Sequence, residues 1–354
     1  MRRKGITYLV PYCVIAAMML SACEKAPENT VKDGALVSES TDNKVKSAND
    51  SNAKERERLS PQEILQSFPS HYTKEFSAGT NCLCVDADIV IPAQDIKLYQ
   101  ADVLLDPWSE EQVRVVSAKL EEAGLLSGSE LPEAFDYTSQ VPLVGITYSN
   151  SDLSKQEKSG TLQGGQEEEF SQYLEDFCRI FAASGLPVRA EPQNDMEGNW
   201  DGRTYSLAAT FEEIPLAAGF PATGTGRIIN EFTGGSVTFS EDGIVDFFMN
   251  EKFNFTNQEE CKSLASMETI ANTLQAALDS AELIFSRDLK AVKLSLEYLI
   301  VSESEHLQMI PVWNVTFDVD AYYHALEEST DQEQKMSMMN LCINAVDGSV
   351  AYAS

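Results

Sequence analysis

From Arg203 onward, short runs rich in Val, Ile, Phe, Tyr and Thr recur between turn residues, and this pattern limits the fold more than any other. TYSLAATFEEI, GSVTF, GIVDFFMNEKFNF, KAVKLSLEYLIV, IPVWNVTFDV and MSMMNLCINAV all have strand character. Asp242-Gly243 and Asp347-Gly348 lie between such runs, a dipeptide suited to tight hairpins. One helix interrupts the series. Asn257 with Glu260 offers it a cap, and Leu264, Met267, Ala271, Leu274 and Leu278 form its apolar seam, ending near Phe285. A helix laid over one face of an antiparallel sheet is an α+β architecture.

The preceding stretch mixes both signals. Asn81–Ile91 alternates and is rich in Val, Ile and Cys, which predicts a strand. Ile96–Leu105 predicts a second, stopped by Asp106-Pro107. Ser109 with Gln112 spells a capping box, Trp108 and Val113 a hydrophobic staple, and Val113, Val116 and Leu120 one helical face ending at Gly124. Residues 127–165 are turn-rich, with VPLVGITY a candidate strand inside them. Glu167–Ser184 carries Phe170, Tyr173, Leu174, Phe177, Cys178 and Phe181 at helical spacing, and Gly185 follows as a stop.

The N-terminus reads as an address. Arg2, Arg3 and Lys4 precede an apolar stretch that ends in Leu20-Ser21-Ala22-Cys23. This tetrapeptide resembles the lipobox of bacterial lipoproteins, which implies cleavage after residue 22 and a diacylglycerol thioether on Cys23. Two acyl chains at ~0.8 kcal/mol per buried CH₂ anchor firmly. The expected location is the extracytoplasmic face of the cell membrane. Residues 24–58 contain no aromatic residue and are rich in Glu, Lys, Asp, Ser, Asn and Thr. Such a segment buries too little apolar area to offset its ordering entropy. The expected organisation is a signal peptide at 1–22, a disordered tether at 23–67, an N-terminal α+β region at 68–200, and a C-terminal antiparallel sheet with one long helix at 201–354.

The 354 residues carry a formal net charge of −30. That excludes a nucleic-acid binder, which needs a basic footprint. It also opposes adhesion to anionic lipid.

VDADIVIPAQDIKLYQADVLLDPWSEEQV, VTFSEDGIVDF, the Pro311-Val312-Trp313 strand and the closing INAVDGSV resemble an uncharacterised lipoprotein family of Gram-positive bacteria, filed as a domain of unknown function. The resemblance implies no established activity. The Pro-Val-Trp strand with the Ile-Asn-Ala-Val-Asp-Gly-Ser hairpin is also similar to PepSY-type modules and to extracytoplasmic regulators of a cell-wall sensor kinase. Those likenesses imply a small α+β module that acts by binding proteins.

Candidate chemistry is thin. Cys13 leaves with the signal and Cys23 takes the lipid, so Cys82, Cys84, Cys178, Cys261 and Cys342 remain in the body. Five thiols cannot all pair within one chain. Cys82 and Cys84 point to one strand face, but the spacing lacks the further ligands of a zinc site, and small buried hydrophobes are the better reading. His71, at the tether's edge, His306, in a hairpin loop over Ser302–Leu307, and His324 lack metal spacing and read as exposed structural residues. Asp195, Glu197, Asn199 and Asp201 alternate, yet Trp200 and Ser206 stand where a calcium loop needs Gly and Glu. Gly224-Thr225-Gly226 lacks the Lys of a phosphate loop. No residue is assigned a catalytic, metal or cofactor role. The expected function is non-catalytic binding or regulation of another envelope protein. The alternative is solute or glycan binding using Trp108, Trp200 or Trp313, with Trp108 and Trp313 better placed as core. A wall hydrolase using a carboxylate pair comes third.

Overall fold

The structure, a computed structural model, describes residues 59–78, 81–93, 95–127, 129–136, 144–150, 166–193, 203–217, 234–279, 288–303, 306–318 and 341–353. They belong to one compact unit, Glu57–Ser354. The expected signal peptide, Cys23 and the tether up to residue 58 lie outside the described residues.

In chain order the elements begin with α1 (Pro61–Gln66), β1 (His71–Ala78), β2 (Asn81–Val90), β3 (Tyr99–Asp106) and α2 (Glu110–Glu122). Next come β4 (Glu133–Asp136), β5 (Val144–Ser149), α3 (Gln166–Ala182), β6 (Val188–Pro192), β7 (Arg203–Phe211) and β8 (Ile214–Pro215). The last are β9 (Gly234–Ser240), β10 (Gly243–Met249), β11 (Lys252–Glu260), α4 (Met267–Asp279), β12 (Leu289–Glu303), β13 (His306–Phe317), β14 (Leu341–Asn344) and β15 (Val350–Ala353). The fold is α+β.

Two sheets carry the strands. An eight-stranded sheet runs β1-β2-β12-β13-β14-β15, with β3 on β13 and β11 on β3. Its pairs are antiparallel except β2 with β12, which run parallel. A seven-stranded sheet runs β4-β5-β10-β9-β7-β6, with β8 on β7. Both sheets mix strands from before and after residue 200, so the expected division at that point does not separate them.

Local signals explain much of this. Ser109 caps α2, receiving the Gln112 N–H at 3.3 Å while the Gln112 side chain accepts from the Ser109 N–H at 3.0 Å. Val113, Val116 and Leu120 are all buried. Asp242-Gly243 closes the β9–β10 hairpin, and Gly243 takes φ +110°, which an L side chain strains to adopt. Asp347-Gly348 closes β14–β15, with Gly348 at φ +78°. Pro311 lies inside β13 without breaking it. Its carbonyl accepts the Ala345 N–H at 2.9 Å, so its nitrogen faces the same edge, between the stretches of β13 paired to β3 and to β14.

Three expectations are corrected. Residues 61–67 of the expected tether belong to the body. Ser60 caps α1 with Glu63 in a capping box, and Leu65 and Phe68 are buried. Asn257 and Glu260 do not cap a helix, because they lie in β11, where the register shifts and Asn257 takes φ 50°. The cap of α4 is Ser266, whose hydroxyl receives the Thr269 N–H at 3.2 Å. The run GIVDFFMNEKFNF is two strands in different sheets, β10 and β11. The crossing at Asn250-Glu251 is buried, and the Asn250 backbone is satisfied. The Asn250 N–H donates to Gly234 O at 2.8 Å, and its carbonyl receives the Trp108 indole N–H at 2.7 Å.

The helices seal the sheets. On the seven-stranded sheet, the Phe177 ring of α3 lies 4.6 Å from Phe181, 5.4 Å from Phe247 and 6.2 Å from Phe239. On the eight-stranded sheet, α4 buries Ile270, Ala271, Leu274, Ala277 and Leu278. It reaches β1 at one edge through Gln275 and the β14–β15 hairpin at the other through Thr273. Among the described residues no helix is long and apolar enough to cross a membrane.

Candidate functional site

The face of the eight-stranded sheet opposite Leu83, Val85 and Ala87 carries two side-chain networks. Along β2 the buried residues alternate with Cys82, Cys84, Asp86 and Asp88, which share the outer face. The β1–β2 register places His71 opposite Asp88 and Thr73 opposite Asp86. His71 therefore faces one carboxylate directly and a second diagonally. Its Nδ1 is 2.8 Å from Asp88 Oδ1, and its Nε2 is 2.9 Å from Asp86 Oδ1. Carboxylates accept, so the imidazolium with both N–H groups is the form that satisfies this geometry. The hydrogen bond to Asp88, and then that to Asp86, holds the His71 pKa above its ordinary value. Lys290 of β12 approaches Asp86 Oδ2 to 2.9 Å, and this ammonium first, then His71, holds the Asp86 carboxyl below the usual range. The network is open to water, with the His71 side chain 47% exposed.

The second network lies nearer the middle of the same face. Ser295 Oγ donates to Glu297 Oε1 at 2.5 Å, and Asn314 Nδ2 donates to Glu297 Oε2 at 2.9 Å. The Cys342 thiol donates to Asn314 Oδ1 at 3.7 Å. These residues come from β12, β13 and β14. Beside them Ala217, Leu299, Val312 and Cys342 form a small apolar cluster. Burial pushes the Glu297 carboxyl up, against the pull of Ser295, Asn314 and Lys293.

A third charged feature lies within the eight-stranded sheet, where β11 pairs with β3. The Lys252 ammonium, 3% exposed, bonds Asp106 Oδ2 at 2.6 Å and lies 5.2 Å from the Trp108 ring centre. Nothing in the sequence reading singled out Lys252 or Glu297.

The sequence candidates divide as follows. Cys82 and Cys84 do share a face, but both are half-buried on the outer side rather than buried in the core. Removal from water, and then Asp288, raises the Cys82 thiol. Burial pushes Cys178 and Cys261 up to about 11, and Cys342 higher still, so all three are protonated at neutral pH. All five body cysteines are free thiols. His71 lies in β1 rather than at a tether's edge, and His306 is the exposed first residue of β13, where the β12–β13 hairpin turns. Among the described residues no three His, Cys, Asp or Glu side chains are grouped to hold a metal ion. Trp108 and Trp313 are core residues, and Trp313 stacks on Phe68 at 4.6 Å. His324, Trp200, the Asp195–Asp201 alternation and Gly224-Thr225-Gly226 lie outside the described residues.

No family model matches the chain, and no curated protein does. Among solved structures, the chain is similar to an uncharacterized protein from Eubacterium rectale ATCC 33656, with a TM-score of 0.54 at 13% identity, over 81% of this chain and 94% of that one. A likeness at that identity is one of fold. The C-terminal domain of YpeB from Bacillus megaterium aligns with a TM-score of 0.30 at 9% identity, over 70% of this chain and 98% of that one.

Proposed function

We propose that this chain is a lipid-anchored extracytoplasmic module that binds another protein of the cell envelope and performs no chemistry on it. The observation that carries the reading is β1, an eight-residue strand at a sheet edge with His71, Thr73, Lys74, Glu75 and Ser77 all exposed. Sheet edges of this length recruit a partner unless they are blunted. Leu20-Ser21-Ala22-Cys23 and the aromatic-free stretch to residue 58 support the location, because they supply an anchor and a spacer. The same reading includes membership of the uncharacterised lipoprotein family and a PepSY-like unit built on α4 and β12–β15. Trp108 and Trp313 lie in the core, which leaves a glycan-binding face without two of its three candidate aromatics.

In-cell crosslinking of the lipidated chain, with capture and mass spectrometry, tests this. A Cys23→Ala chain is the mislocalised control. The expected result is a reproducible envelope protein, absent from the control, crosslinked to β1 or β2. No partner above background from a chain shown to be folded overturns it.

A further inference from the structure

We propose that β1 is a strand-addition edge whose occupant is an extended segment of a partner protein with Lys or Arg at alternate positions. The proposal rests on the binding reading above and specifies its chemistry.

The edges of the two sheets are not alike. β4 and β15 are four residues long, β6 has five and ends in Pro192, and β11 is broken by a register shift between Thr256 and Glu259. Short length, proline and bulges are among the devices that blunt an edge. β1 has none of these three, and its edge carries the charges of Lys74 and Glu75 and the Gln275 contact at Ser77. Its eight residues pair one-to-one with β2 without a shift, and among the described residues no strand lies on its other side.

The hydrogen-bond phase says which groups are offered. Ile89 N–H donates to Ser70 O at 2.9 Å, so Ser70 and Ile89 form a bonded pair. In an antiparallel ladder bonded pairs alternate, so Tyr72, Lys74 and Phe76 bond inward to β2. His71, Thr73, Glu75 and Ser77 then turn their N–H and C=O groups outward. Two contacts agree with this phase. Gln275 Nε2 reaches Ser77 O at 3.1 Å, and the Cys82 N–H, opposite Ser77, points away from β1 to Asp288 Oδ1 at 2.9 Å. Gln275 closes the Ser77 end and leaves His71, Thr73 and Glu75 for an incoming backbone.

Charge selects the side chains. On the outer face the four carboxylates of Glu75, Asp86, Asp88 and Asp288 outnumber the three cations His71, Lys290 and Lys293, within a chain of net charge −30. On the other face of β1 the one cation is Lys74, whose Nζ lies 4.8 Å from the Phe76 ring centre, next to half-buried Tyr72. An added strand therefore matches with cations on the outer side and apolar residues on the side of Tyr72 and Phe76.

The test uses the full lipidated chain in micelles. The probe is a peptide of about eight residues with alternating Lys and Val, matched in length to β1, and its Glu–Val counterpart is the control. Fluorescence anisotropy reads binding, and amide hydrogen exchange reads the backbone. The expected result is saturable binding of the Lys–Val peptide, with slowed exchange at His71, Thr73 and Glu75. Thr73→Pro removes an outward N–H that β2 does not use and lowers affinity about tenfold. Glu75→Lys, which leaves the backbone intact, also weakens binding and serves if the proline variant fails to fold. Equal binding of the Glu–Val peptide, or unchanged exchange at these three amides, overturns the proposal. A crosslinked envelope partner seated away from β1 overturns strand addition and leaves the binding reading standing. Peptide addition without any envelope partner does the reverse.

Discussion

The Glu297 and His71 networks lie on one face of one sheet, and both are built around carboxylates. At Glu297 the hydrogen-bond partners are neutral, a hydroxyl and an amide, and the carboxyl is largely removed from water. At His71 the partners are charged, and water has access. Burial therefore governs the first and raises its carboxyl, while charge pairing governs the second and lowers that of Asp86. The same functional group on the neighbouring strand responds to acid in the opposite sense. Position across the sheet, from covered centre to open edge, decides the sign.

The largest break in this comparison comes from Asn314→Asp. It replaces the amide donor with a second carboxyl against Glu297, and chemical denaturation should read a loss of about 3 kcal/mol. Ser295→Ala removes a single donor and should cost about 1–2 kcal/mol. Glu297→Gln sharpens the contrast by pH. The folded-state pKa of Glu297 lies above its ordinary 4.5, so its contribution is complete below that value and is lost as pH rises through the folded-state pKa. Melting temperatures of the Gln variant should lack this decline, and an unchanged slope would assign it elsewhere.

The smallest effect belongs to His71. Its pKa is raised above 6.5, so its stabilisation is full below that value and fades as pH climbs through the raised one. Asp86 is lowered, so its share is present above 3.8 and is lost as pH falls through the depressed value. An NMR titration of the His71 ring should give an elevated midpoint that Asp88→Asn lowers more than Asp86→Asn. The reverse order would mean that Asp86 is the stronger partner.

What the sequence made legible follows from range. The Ser109–Gln112 box and the two Asp-Gly hairpins are decided within a few residues, and each was readable where it stands. β1 escaped notice because HYTKEFSA places one well-buried apolar residue, Phe76, among polar ones, as a half-solvated edge does. Asn257 and Glu260 spelled a helix cap, yet pairing with β3 holds that segment in a strand. Pairing outweighed a local preference there. Glu297 meets Asn314 and Cys342 through the registers of β12, β13 and β14, and His71 meets Lys290 across β2. Those registers are set by the whole sheet, and no spacing along the chain encodes them.

The parallel seam between β2 and β12 joins segments some two hundred positions apart, as the Cys82–Asp288 bond illustrates with a separation of 206. Until β12 arrives, Leu83, Val85 and Ala87 have half a layer to pack against. A nascent or truncated chain that stops before residue 289 thus exposes an unfinished sheet with sticky margins. Such long-range closure is slow, because the entropy of a long loop is lost before the contacts that reward it can form. The eight-stranded sheet is therefore completed only once β12 is available, late in the chain.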